Sequence, residues 1–200
     1  MVEPTPRTNR RRVLFLCTGN ACRSQIAEGW LRELGGEAFE SVSAGTEPHG
    51  LNPRAVATMA AVGVDIAGQR SEHLEVHLPP AAPLPDLVIA VCDAAAASCP
   101  SLPGVPTLRW PFPDPAPGGV DLGADEAEVT ARFAAVRDAI RDRIAAWLAA
   151  GAPADDPAWG GAGAAMAEPA SLPDRVADPF SGSPPGSSSG IAPREEDPCA

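Results

Sequence analysis

The stretch Leu14–Trp30, LFLCTGNACRSQIAEGW, passes from a strand pattern to a helix pattern across a short loop of small and polar residues. Val13–Leu16 is a continuous apolar run with β-branched and aromatic members. Such runs suit a strand buried on both faces, as in a parallel sheet. From Ser24 to Leu34, Ile26, Trp30 and Leu34 recur on one side of a helix, and Gly35-Gly36 stops the pattern.

The rest of the chain repeats this alternation. FESVSAG (Phe39–Gly45) reads as a second short strand. Asn52-Pro53 offers a cap and a first helical residue for a helix reaching about Val62, with Gly63 beyond its end. DLVIAV (Asp86–Val91) is another fully apolar strand, and TLRW (Thr107–Trp110) a weaker one. From Asp125 the spacing Val129, Phe133, Val136, Ile140, Ile144, Trp147 is helical, and Gly151 and Pro153 end it. Alternating strands and helices imply an α/β fold: a single three-layer domain with a mainly parallel central sheet and helices on both faces.

The 200 residues suit one domain with chain to spare. Residues 151–200 hold 9 of the 24 prolines, few large apolar side chains and no period. Such composition does not offset ordering entropy, so a disordered tail is expected there. Residues 1–11, polar and basic, read as a flexible N-terminus, which leaves 12–150 as the folded domain. No apolar run is long enough for a membrane span, and the start lacks the apolar core of a secretory signal. A cytoplasmic protein is expected. A net charge of −11 disfavours nucleic acid as a partner. Five cysteines at irregular spacings argue for reactive thiols rather than a disulfide frame.

In open parallel sheets the ligand sits beyond the carboxyl ends of the strands. One strand here ends at Cys17, another at Cys92, and TLRW is followed closely by Asp114. Between Cys17 and Arg23 lies TGNAC, in which Gly19 and Asn20 tolerate left-handed backbone angles. Thr18, Gly19, Asn20, Ala21, Cys22, Arg23 and Ser24 can together form an anion cradle. Its parts are inward backbone N–H groups, the positive end of a helix and a guanidinium fork. A thiol on this rim should have its pKa lowered from about 8.5 toward neutrality or below, which makes Cys17 a nucleophile. No GxxxxGK[ST] occurs, so nucleotide binding is not expected. Asp114 is placed to protonate a leaving oxygen.

CTGNACRS resembles the C-x5-R-[ST] loop of low-molecular-weight protein tyrosine phosphatases. FLCTGNACRSQIAEGW, SAGTEPHGLNPRA, CDAAAASCP and WPFPDPA are similar to the thioredoxin-coupled arsenate reductases built on that fold. The resemblance spans about residues 12–148. It implies that Cys17 attacks arsenate held by Arg23 and the loop, with Asp114 as acid. Cys92 then displaces arsenite by forming a disulfide with Cys17. Cys99 takes over Cys92, and thioredoxin reduces the Cys92–Cys99 pair. Seven residues of helix would hold Cys92 and Cys99 about 10 Å apart, too far for a disulfide, so the segment between them must unwind. It also implies a potassium ion near Asn20, Glu28, Ser43 and Glu72, with Glu72 standing where an aspartate is usual. A monomer is expected.

Two other readings stay open: a phosphatase acting on phosphomonoesters, which has no need of Cys92 and Cys99, and a non-catalytic oxyanion-binding or interaction module. Spacing does not support a metal centre, since Cys92 and Cys99 are not C-x-x-C and lack a second ligand pair. His73 and His77, four apart, read as a solvated helix face. Cys22 is assigned to packing or a minor role, Cys199 is incidental, and His49 has no derivable role.

Overall fold

A computed structural model describes residues 10–92, 102–116 and 125–155. Cys99, Cys199 and most of the expected tail lie outside the described residues. The elements run β1 (Arg11–Cys17), α1 (Arg23–Gly35), β2 (Phe39–Gly45), α2 (Pro53–Ala60), a 3-10 turn (Leu74–His77), β3 (Leu87–Ala90), β4 (Thr107–Arg109) and α3 (Glu126–Ala149). Among the described residues, four strands form one sheet in the order β2-β1-β3-β4. Every pairing is parallel.

β1 is central, which explains its apolar run. Val13 and Phe15 face one core, and Leu14 and Leu16 the other. The first core is filled by α1, α2 and α3. All six residues of the α3 stripe expected from sequence are buried. Each contributes about 1.5–3 kcal/mol, so packing rather than propensity holds this helix. Leu74 of the 3-10 turn covers the second face with Leu78, Leu102 and Val105 alongside. His73 and His77 therefore do not share a solvated helix face. The His73 ring accepts the Glu75 N–H, while His77 lies between Arg12 and Glu72.

Two caps follow the sequence. Asn52 accepts the Arg54 N–H at the start of α2, and Asp125 accepts the Ala127 N–H at the start of α3. The fold runs one residue further at the N-terminal end and three at the C-terminal end than the expected 12–150. Arg11 opens β1, its guanidinium donates to the Ala152 carbonyl, and Trp147 Nε1 donates to Pro153 O at 2.9 Å. Among the described residues, no helix is long and apolar enough to cross a membrane.

Candidate active site

The sheet brings its three chemistry-bearing strand ends to one edge, where strand order reverses about β1. Cys17 ends β1 and is 4% exposed. The loop after it, Thr18–Cys22, is turned inside out by its neighbours. Thr46, Glu47, His49 and Asn52 donate their N–H groups to the carbonyls of Cys17, Thr18, Gly19 and Ala21. Gln25 Nε2 takes the Asn20 carbonyl at 3.0 Å. With these carbonyls tied to neighbouring segments, the Asn20 N–H points at Cys17 Sγ, an arrangement suited to an anion nest. α1 begins directly behind it with no side-chain cap and no acidic residue in its first turn. Its positive end thus adds to the cradle.

The clamp is the segment after β2, whose family-like pattern had no assigned purpose. It gives His49 a role: a backbone donor to Gly19. It also explains Gly45, since a Cβ there would lie 2.5 Å from the Thr18 carbonyl.

Asn20 organises the floor. It is fully buried with φ +44°. Its N–H donates to Cys17 Sγ at 3.1 Å. Its side-chain nitrogen donates to Ser24 Oγ and Ser43 Oγ, both at 2.9 Å. Its side-chain oxygen accepts from Glu72 N at 2.8 Å and from Gln25 Nε2 at 3.1 Å. Ser24 Oγ in turn lies 2.9 Å from Cys17 Sγ.

The expected fall in the Cys17 pKa is corrected by this geometry. Burial pushes the thiol up, and the nearby Cys92 raises it further. The Ser24 hydroxyl and the Ser24 and Asn20 N–H groups work in the opposite direction. Removing water from the sulfur outweighs the donors supplied to it. Burial also pushes the Cys22 thiol up to about 12, with Arg23 opposing. That suits the packing role expected for Cys22.

Arg23 spans the mouth. It donates to the Phe112 carbonyl at 3.0 Å and meets Asp114 Oδ2 at 3.3 Å. Phe112 N and Trp110 N are tied to Val91 and Ala90, so the loop carrying Asp114 is anchored to the end of β3. Asp114 itself is half exposed at the rim. Cys92 is buried just past β3, with its sulfur 3.7 Å from Thr18 Oγ1. Cys17, Cys22 and Cys92 stand as thiols. The structure thus gathers Cys17, Arg23, Asp114, Cys92 and the whole loop, while Cys99 falls outside the described residues. Gln25 and Gln69 were not singled out from sequence, and no local spacing marks them.

On the other side of the loop floor lies a cavity of about 530 Å³ lined by Glu28, Arg32, Ser43, Gln69, Glu72 and His77, among others. Burial pushes the Glu28 carboxyl up, against hydrogen bonds from Ser43 and Gln69. Among the described residues, Gln69 Oε1 is buried there without a hydrogen-bond partner. This cavity is separate from the mouth where Cys17, Arg23 and Asp114 meet.

An arsenate reductase of Halalkalibacterium halodurans is 44% identical over 131 residues, which cover 65% of this chain and 89% of that protein. A solved arsenate reductase in its phosphate-binding state superposes with a TM-score of 0.54 at 30% identity, covering 70% of this chain and 98% of the other. A thioredoxin-dependent arsenate reductase from Corynebacterium glutamicum gives 0.51 at 26% identity, over 72% of this chain and 65% of that one. The family model for low molecular weight phosphotyrosine protein phosphatases matches residues 12–153, the same span that builds the sheet, the thiol loop and the acid at its rim. The chain belongs to that family.

Proposed function

We infer that this chain reduces arsenate to arsenite. The observation that carries the reading is the second buried thiol: Cys92 sits against the Cys17 loop, where hydrolysis of a phosphate ester needs no sulfur. The names of the relatives support the same reading.

The reaction begins with arsenate in the inward-facing amides of Thr18–Ser24, its charge met by the Arg23 fork. Arg23 already contacts Asp114, so the bound oxyanion and the acid share one guanidinium. Cys17 passes its thiol proton to a bound arsenate oxygen, its sulfur attacks arsenic, and an As–OH bond breaks. Asp114 supplies a proton, and the oxygen leaves as water. The sulfur–arsenic bond then gives its electron pair to arsenic as Cys92 thiolate attacks Cys17 Sγ. Arsenic leaves as arsenite, and one disulfide, Cys17–Cys92, holds the two-electron oxidation. Cys99 attacks Cys92 and frees Cys17, by ordinary thiol–disulfide exchange. We assign thioredoxin as the reductant of the resulting Cys92–Cys99 disulfide. One of the similar structures is named as thioredoxin-dependent, which supports this. A reducing cytoplasm suits the thiol state this cycle needs, and we take the working unit to be a monomer.

The oxygen-rich cavity fits a hard monovalent cation. It offers the Glu28 and Glu72 carboxylates, the Ser43 hydroxyl and the orphaned Gln69 carboxamide oxygen. Asn20, the fourth residue expected there, has both side-chain ends engaged and would hold the ion's surroundings in place. Potassium there would neutralise two facing carboxylates beneath the loop. A rise in melting temperature with potassium, absent in Glu28→Gln, is the expected result.

Phosphomonoester hydrolysis is the second reading. The loop, Arg23 and Asp114 suffice for it, and the family model is that of phosphatases. The deciding experiment couples the purified protein to thioredoxin, thioredoxin reductase and NADPH. Arsenate-dependent NADPH oxidation is expected. Its absence, with aryl-phosphate hydrolysis present, would establish the phosphatase instead.

A further inference from the structure

Gln25 lies on the first turn of α1 and is fully buried. No step of the reaction above uses it. Its nitrogen grips Asn20 twice, at the backbone carbonyl (3.0 Å) and at the side-chain oxygen (3.1 Å), and holds the Arg70 carbonyl at 2.8 Å. Its own oxygen is held by Gln69 Nε2 at 3.1 Å, and the same nitrogen binds the Gln25 carbonyl at 3.1 Å. The two carboxamides are therefore oriented end to end, from the acidic cavity to Asn20.

We propose that Gln25 is a positioning residue for the nucleophile: it locks Asn20 in the left-handed conformation that aims the Asn20 N–H at Cys17 Sγ. Asparagine tolerates φ +44°, but at a cost that hydrogen bonds around it must offset. The support must come from outside the loop, because Thr18–Cys22 makes no regular structure of its own. Ser24, Ser43 and Glu72 hold only the Asn20 side chain. Among the described residues, Gln25 is the group that holds side chain and backbone together. If Asn20 rotates, its N–H leaves the sulfur. A donor on an ionised sulfur favours the thiolate, so Gln25 acts on Cys17 from one residue removed. Gln69 acts one step further back, by fixing which end of the Gln25 carboxamide faces Asn20.

The inference rests on Cys17 being the nucleophile, and its test uses no arsenate. Full-length wild type, Gln25→Met and Gln69→Met are alkylated with iodoacetamide from mildly acidic to alkaline pH. Modification of Cys17 is followed by intact mass and peptide mapping. Methionine keeps the length of the side chain and removes the donor. For Gln25→Met the midpoint of the alkylation profile is expected to move up by about one pH unit, so that Cys17 reacts about tenfold more slowly near neutrality. Gln69→Met is expected to shift it in the same direction by less. A Gln25→Met protein with a wild-type profile and a lowered melting temperature overturns the proposal and leaves Gln25 as scaffold. Should Gln25→Met fail to fold, Gln69→Met decides, and an unchanged profile there overturns it. A shifted profile in a protein whose wild type lacks arsenate turnover would sustain the positioning role and remove the reductase reading.

Discussion

Cys17 Sγ receives the Asn20 N–H and lies 2.9 Å from Ser24 Oγ, and serine at position 17 would keep those partners while losing the sulfur. Cys17→Ser is expected to abolish arsenate reduction and aryl-phosphate hydrolysis alike, because both proposed reactions use this one sulfur as nucleophile. Retention of either activity near the wild-type rate, measured on the same sample, would take Cys17 out of the centre of the chemistry. Cys22, two residues before Ser24, behaves differently. With its thiol raised to about 12, it stays protonated in the folded protein while an unfolded chain ionises near 9. The folded state then holds the extra proton between those values, so stability falls as pH rises through that window, by about 1.4 kcal/mol per unit for one thiol. Urea unfolding of wild type and Cys22→Ala from neutral to strongly alkaline pH checks this: the mutant's stability should fall less steeply. The contrast shows what a residue-level reading reaches. The Cys17–Arg23 spacing and the helix-opening Ser24 were visible along the chain. The balance between donors and desolvation was not, because burial of Cys17 is set by residues far from it in sequence.

Three strand ends build the mouth: β1 and β3 were legible as buried apolar runs, and β4, with only Leu108 buried, as a weaker pattern, each followed by a residue with chemistry. What the elements do not disclose is how the loop between β1 and α1 is turned. That depends on N–H groups of Thr46–Asn52, on Gly45 and on the Gln25–Gln69 pair, none of which carries a local period. Hydrogen bonds between segments tens of residues apart leave no spacing to read. The same separation of tasks makes the cysteines testable one by one. In the proposed mechanism, capture of arsenic belongs to the end of β1, and disposal of two electrons to Cys92 and Cys99. Cys92→Ser is expected to stall at the arsenic adduct on Cys17. Cys99→Ser should complete one turnover and stop as a Cys17–Cys92 disulfide. Intact mass and peptide mapping after one equivalent of arsenate distinguish the two. Aryl-phosphate hydrolysis should change little in either mutant. If both kept cycling with thioredoxin, the pair would be structural and the phosphatase reading would gain.

At the scale of the molecule, the chain divides by composition into a core-forming part and a proline- and glycine-rich remainder. An edge near residue 150 follows from the last apolar position of α3, yet contacts continue past it. Ala152 is buried against the core, and its carbonyl takes the Arg11 guanidinium at the start of β1. Trp147 packs edge-on against Trp110, with ring centroids 5.8 Å apart, and its indole N–H is satisfied by the Pro153 carbonyl. Trp110 directly precedes the loop that carries Asp114. Cutting after residue 150 therefore leaves a buried indole donor without its acceptor and exposes the edge of the core, at a cost of about 1–3 kcal/mol for the donor alone. Cutting after residue 155 keeps all of these contacts and removes only sequence too poor in large apolar side chains to form a core. Truncation after 155 is expected to leave melting temperature and arsenate turnover nearly unchanged, while truncation after 150 lowers the melting temperature by several degrees. Thermal unfolding of the two proteins beside the full chain measures both. Equal stability of the two truncations would mean that the Arg11–Ala152 and Trp147–Pro153 contacts contribute nothing. A large loss on cutting after 155 would mean that the remaining 45 residues pack against the domain.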